Sequence, residues 1–189
     1  MTTTLSKQEQ LIALGLCLLM AATRSHHFAS ATHLPDASWA VFFLAGFYVR
    51  RLWMLAGLML LAGVSDYLAV AAFGVNDFCI SAAYGFLVPA YAALWFAGRW
   101  YASRHRMQWA SLLPFAASAT AGAVAAELLS SGGFYVFSGR FADLSLATFG
   151  ERLALYFPQN LEGLALYLGV AVIAHSALYA ARPALSARA

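Results

Sequence analysis

A chain of 189 residues that is 62% hydrophobic and only 10% charged lacks the surface of a water-soluble domain, in which about a quarter of residues are charged. The length suits one compact bundle, a single domain over residues 1–189. The net charge of +3 does not point to nucleic acid, because the basic residues sit in short runs between apolar stretches rather than in a patch.

Each crossing of a hydrocarbon core of about 30 Å takes roughly 20 apolar residues. Met1 to Gln10 is polar and Leu11–Ala22 is not followed by a convincing small-residue cleavage site, so this run is read as a retained first helix over about 8–25. The second span, 36–50, is short and begins at Pro35-Asp36, where Asp36 or Ser38 can cap it. The third and fourth, 52–73 and 79–98, flank a tight turn at Gly74-Val75-Asn76-Asp77. The fifth covers 109–130 and the sixth 159–181. Between them, Ser130 to Phe157 contains Gly132-Gly133 and is expected to form a partly ordered cap with a short helix near Leu144 to Tyr156.

Six spans put Lys7, Arg50, Arg51, Arg99, Arg104, Arg106, Arg182 and Arg188 on one side and Arg24, Arg140 and Arg152 on the other. Both termini are therefore expected in the cytoplasm. The acids are skewed oppositely: only Glu9 lies inside, whereas Asp36, Asp66, Asp77, Glu127, Asp143, Glu151 and Glu162 lie in outer connections or outer parts of spans. No phosphate-binding loop or internal repeat is present, so ATP use would require separate subunits. The two cysteines, Cys17 and Cys79, are too few for a disulfide framework and are expected to be free thiols.

The outer face gathers the chemistry: Arg24-Ser25-His26-His27-Phe28 with His33, then Asp66, Cys79, Tyr84, Glu151-Arg152, Asn160 and Glu162. Singly, most have plain structural roles, the His pair as a helix cap and Cys79 as a small buried hydrophobe. Asp66 stands out, since a carboxylate inside a span costs several kcal/mol; a structural partner would come from Ser65, Tyr67 or a neighbouring helix amide. The adjacent His26 and His27 point about 100° apart on a helix, and no paired zinc-ligand spacing occurs. A metal already held in a macrocycle needs only one or two axial donors, which one Cys and one His can supply. Phe134, Tyr135, Phe137, Phe141 and Tyr156 could line a broad apolar pocket or form an interfacial belt.

These residues resemble those of the BtuM-type cobalamin (vitamin B12) transporters of bacteria, small six-helix proteins similar to the substrate-binding S-components of energy-coupling factor (ECF) transporters. The resemblance runs over essentially the whole chain. It rests on Ser25-His26-His27-Phe28 with Leu34-Pro35-Asp36-Ala37-Ser38-Trp39, on Asp66, on Asn76-Asp77-Phe78-Cys79 before Tyr84-Gly85, and on Glu151-Arg152 ahead of Phe157-Pro158-Gln159-Asn160. It implies an all-α, S-component-like bundle in the inner membrane that binds cobalamin as transported ligand in a periplasm-facing cleft. Cys79 is then the implied axial ligand of cobalt, and His27, Asp66, Tyr84 and Arg152 are the companion ligand-binding positions, with His27 a second candidate cobalt donor. Displacement of an upper ligand such as cyanide by Cys79 would make the protein a modest decyanating enzyme. Ala13, Cys17 and Ala21 give the four-residue spacing by which S-components dock on an ECF membrane subunit, but with a cysteine in the middle, so an ECF module or none is the expected partner besides cobalamin and lipid. The alternatives are a membrane haem or redox protein using His27 and another His such as His175, and a scaffold without ligand.

Overall fold

The computed structural model describes residues 5–24, 34–73, 81–142 and 144–186. Every regular element among them is helical: α1 (Lys7–Thr23), α2 (Ser38–Tyr48), α3 (Leu52–Phe73), α4 (Leu87–Ala102), α5 (Leu112–Phe137) and α6 (Leu146–Ser186). Short 3₁₀ turns, Ala82–Phe86 and Trp109–Ser111, lead into α4 and α5. The first helix starts with a capping box, in which Glu9 N–H donates to Ser6 Oγ at 3.2 Å and Ser6 N–H to Glu9 Oε2 at 2.9 Å. At the start of α2, Asp36 Oδ1 accepts from the Ser38 amide at 2.9 Å, a free donor of that helix end.

The short α2 lies at the centre. Ala40, Val41, Phe42, Phe43 and Ala45 are all fully buried, as expected of a helix apolar on every side. It packs against α1, α3, α4 and α6, most extensively against α4, which in turn packs along α5. The α2–α4 crossing is built on two glycines: a Cβ at Gly46 would overlap the Trp95 carbonyl, and one at Gly98 would overlap the Phe43 carbonyl. Phe42 and Tyr91 stack across the same interface at 4.2 Å between centroids.

Three helices are long and apolar enough to cross a membrane, over Leu52–Ala72, Trp109–Phe137 and Leu146–Ala181. The 17 residues of α1 and the 16 of α4 fall short of a full span, and α2 has only 11. The outward faces are apolar, with Leu11 70%, Leu60 70%, Leu113 77% and Ile173 71% exposed. A continuous exposed apolar surface of this kind fits a helical membrane bundle and not contact with water.

Three boundaries differ from the sequence expectation. The span expected over 79–98 is α-helical, as α4, from Leu87 to Ala102, behind the 3₁₀ turn Ala82–Phe86. The fifth helix runs to Phe137, beyond the expected end at 130, and the expected short helix near Leu144 to Tyr156 is the first part of α6, continuous through Pro158. Gly132 and Gly133 read locally as breakers, yet Gly133 is needed inside α5 because the ring of Phe86 packs where its side chain would be. Proline inside a long membrane-type helix is tolerated where neighbouring helices compensate the freed carbonyl.

At the opposite end from the start of α2, Tyr48 OH pairs with His175 Nδ1 at 3.0 Å and Tyr101 OH with His105 Nδ1 at 2.8 Å. Burial holds the His105 imidazole below its usual range, and its Nε2 is sealed from water without a hydrogen-bond partner among the described residues. The unfolded chain, where the ring titrates near about 6.5, therefore takes up a proton that the folded protein resists. Stability from this site is held above that pH and lost as pH falls below it. Thermal unfolding followed from about pH 8 to about pH 5 should show His105→Phe losing less stability on acidification than the native protein; equal losses would contradict the assignment.

Candidate functional site

Arg24 ends α1 and is only 3% exposed, inside a bundle that offers no water to its charge. Its guanidinium is met on every side. Nε and Nη2 donate to the two oxygens of Asp66, each at 2.8 Å, a bidentate pair. Nη1 donates to Ser38 Oγ at 2.7 Å and to Tyr91 OH at 2.8 Å, and Nε also reaches the Ala62 carbonyl at 3.3 Å. Asp36 Oδ2 stands 3.8 Å from Nη1 while its other oxygen accepts from Ser38 Oγ at 2.6 Å. Tyr84, from the turn before α4, donates its hydroxyl to Asp66 Oδ2 at 2.6 Å.

This polar hub ties α1, the entry to α2, α3 and α4 together at one end of the bundle. Side chains 3% exposed at Arg24, 13% at Asp66 and 22% at Asp36 leave the two carboxylates as the accessible rim. The strand of backbone entering α2 is fixed from both flanks as well: the Ala37 amide donates to Thr23 Oγ1 at 3.1 Å, and Tyr167 OH donates to the Pro35 carbonyl at 2.7 Å.

A second buried acid lies at the same end, in α5. Glu127 is 2% exposed and accepts from Ser131 Oγ and, at 2.9 Å, from Asn160 Nδ2 on α6. The α5–α6 connection is aromatic: Tyr135 packs on Phe141 and Phe149 with centroids 4.8 and 5.4 Å apart. The Arg152 guanidinium covers Phe141 at 4.6 Å and Tyr156 at 5.2 Å.

Of the residues singled out in the sequence, Asp66 and Tyr84 are thus in direct contact. Arg152 belongs to a separate aromatic cluster on α6, in the stretch where a short helix is expected from the sequence. His27 and Cys79, with His26, His33 and the turn at 74–77, lie outside the described residues. Cys17 is a free, half-buried thiol. His175, the alternative axial ligand, is bonded to Tyr48 at the far end of the bundle. Among the described residues no group of three or more His, Cys, Asp or Glu is placed to hold a metal ion; a cobalt already held by a corrin ring asks only for axial donors.

The principal partner of Asp66 is Arg24, and not Ser65, Tyr67 or a helix amide as the local sequence suggested. Arg24 is expected from the sequence only as one of the outer-face residues and Ser38 only as a cap, neither as a partner in a hub, and Tyr91 carries no local signal; Glu127, Ser131 and Asn160 form a second buried group. The available signal was charge: an acid inside a span calls for a cation, and Arg24 lies within the first expected span, whereas Arg140 and Arg152 lie in the long connection after the fifth. No protein-family model matches the chain, and no curated protein matches it.

Proposed function

We propose that this chain is a six-span inner-membrane protein, termini in the cytoplasm, that captures cobalamin or a related corrinoid at its periplasmic end and delivers it inward. The observation that carries the reading is the buried hub of Arg24, Asp36, Asp66 and Tyr84. It organises the one end of the bundle at which α1 and α3 finish and α2 and α4 begin. The segments bearing His27 and Cys79 connect those same helices, which is the connectivity a thiol-ligated macrocycle would need. In the hub, Arg24 neutralises Asp66, Asp36 stands 3.8 Å away as a second carboxylate, and both acids keep some accessible edge for ligand amides. Arg152, with no carboxylate on it among the described residues, offers hydrogen bonds to corrin amides or the nucleotide tail.

In this reading Cys79 binds cobalt as thiolate, since coordination favours loss of the thiol proton. Where the incoming Co(III) carries cyanide, the sulfur lone pair forms the Co–S bond while the Co–C bond breaks and its electron pair leaves with cyanide. Cobalt keeps its oxidation state, and no further reactant is required. An ECF module or another partner would supply any energy for release.

Titration of the purified protein with cobalamin tests the reading. The native protein should bind tightly and Cys79→Ser should lose at least about tenfold in affinity, the equivalent of roughly 1.4 kcal/mol. Unchanged affinity in Cys79→Ser would remove the cobalt–thiolate assignment, and no binding by the native protein would remove the corrinoid reading.

A further inference from the structure

We propose that the cavity at the basic end of the bundle holds one anionic phospholipid, with an acyl chain inside and its phosphate on Arg106. This depends on the chain lying in a bilayer, and not on the corrinoid reading.

The cavity has a volume of about 670 Å³ and lies between the ends of α2 and α4, the start of α5 and the second half of α6, within the range of about 300–1,000 Å³ typical of small-molecule sites. Phe43, Phe47, Phe115, Leu168 and Val172 are among its walls. Two Tyr–His pairs also line it, but Tyr48 is paired with His175 and Tyr101 with His105. The Phe47 and His105 rings meet edge to face at 88°, and those of His105 and His175 at 86°. The hydroxyls are therefore engaged, and the pairs offer ring surface suited to hydrocarbon.

The rim has the opposite character. Arg106, Gln108 and Trp109 come from the α4–α5 connection, and no Asp or Glu among the described residues lines the cavity. Three arginines occur in α4 and the α4–α5 connection, and two are engaged. Arg99 donates to the Arg50 carbonyl at 3.0 Å and covers Trp95; Arg104 lies over Trp100 at 3.8 Å. Of these three, Arg106 alone has a guanidinium without a partner among the described residues, and it lies on the cavity, whereas Arg50 and Arg51 line a separate groove with Glu9. Trp109 is 89%, Ile173 71% and Tyr179 49% exposed beside the mouth, a set of side chains suited to the edge of a bilayer. An apolar interior with an unpaired cation at its lip matches an amphiphile whose head is anionic. Phospholipid is the amphiphile a bilayer supplies, and the basic end is where positively charged connections meet anionic headgroups.

The test uses the full-length protein incubated with mixed phosphatidylglycerol and phosphatidylcholine vesicles, then extracted in mild detergent and weighed by native mass spectrometry. The native protein should retain one phosphatidylglycerol in preference to phosphatidylcholine. Loss of one cation should weaken that retention about fivefold in Arg106→Gln, with retention restored in Arg106→Lys and unaffected in Arg104→Gln. Filling the cavity in Ala171→Trp should abolish retention while circular dichroism reports intact helices; if that variant does not fold, the Arg106 and Arg104 comparison decides. Equal retention of both lipids, equal losses in Arg106→Gln and Arg104→Gln, full retention by a folded Ala171→Trp, or a bound fatty acid in place of phospholipid would each overturn the proposal.

Discussion

Replacing Asp66 by Ala is expected to cost about 3–5 kcal/mol of stability, the usual consequence of stranding one member of a buried ion pair. The variant leaves the Arg24 guanidinium 3% exposed with its bidentate partner gone and Asp36 no closer than 3.8 Å. Ser38, Tyr91 and the Ala62 carbonyl still accept hydrogen bonds but carry no charge. Arg24→Ala should be as damaging, because it leaves two carboxylates facing each other across the site. Joint replacement, Arg24→Ala with Asp66→Ala, should cost clearly less than the sum of the two, since only the more exposed Asp36 is then left without a cation. Tyr84→Phe removes one bond to the carboxylate, and about 1.5 kcal/mol is the expected loss, at the low end for bonds to charged groups because the tyrosine is only half-buried. Thermal unfolding in detergent reads all four. Additive losses for the double variant would mean that the pair does not act as a unit.

The second large effect belongs to the α2–α4 crossing. Gly98→Val should destabilise at or above the upper end of the about 1–3 kcal/mol found for overpacked sites. The obstacle is the Phe43 backbone carbonyl, which cannot rotate aside as a side chain would. Gly46→Val meets the Trp95 carbonyl in the same way. Because either substitution forces the two helices apart, the second should add little once the first is present. Gly57 supplies the contrast: nothing lies within 4 Å of its would-be Cβ, so Gly57→Ala should be neutral or gain up to about 1 kcal/mol from helix propensity. A Gly98→Val protein that melts like Gly57→Ala would show that the crossing is not as close as described.

Much of the helical arrangement was legible in the sequence because it is written in runs of apolar residues. The third span, expected over 52–73, coincides with α3; the cap position of α2, expected at Asp36 or Ser38, falls on Ala37, and Asp36 bonds the Ser38 amide from one residue further out. What local reading missed depends on distant contacts. Gly133 looked like a loop residue until the Phe86 ring packed on it, and Pro158 looked like a boundary until α6 continued through it. The hub shows the same limit. Asp66 was conspicuous alone, but its partner is 42 positions away, and nothing in the residues around Arg24 distinguishes a buried guanidinium from one at the headgroups. The contact between Tyr84 and Asp66 followed from the same logic of outer-face clustering that named both. Arg152 joined an aromatic cluster instead, for which the signal was present in Phe141 and Tyr156.

The central claim is that the end of the bundle organised by Arg24 and Asp66 receives a corrinoid on the thiol of Cys79. The most direct measurement is the absorption spectrum of protein purified from cells supplied with cobalamin, with Cys79→Ser prepared in parallel. The account predicts a coloured native protein whose bands differ from those of free cobalamin, and a variant in which those shifted bands are gone. A colourless native protein, or identical bands with and without the thiol, would contradict it.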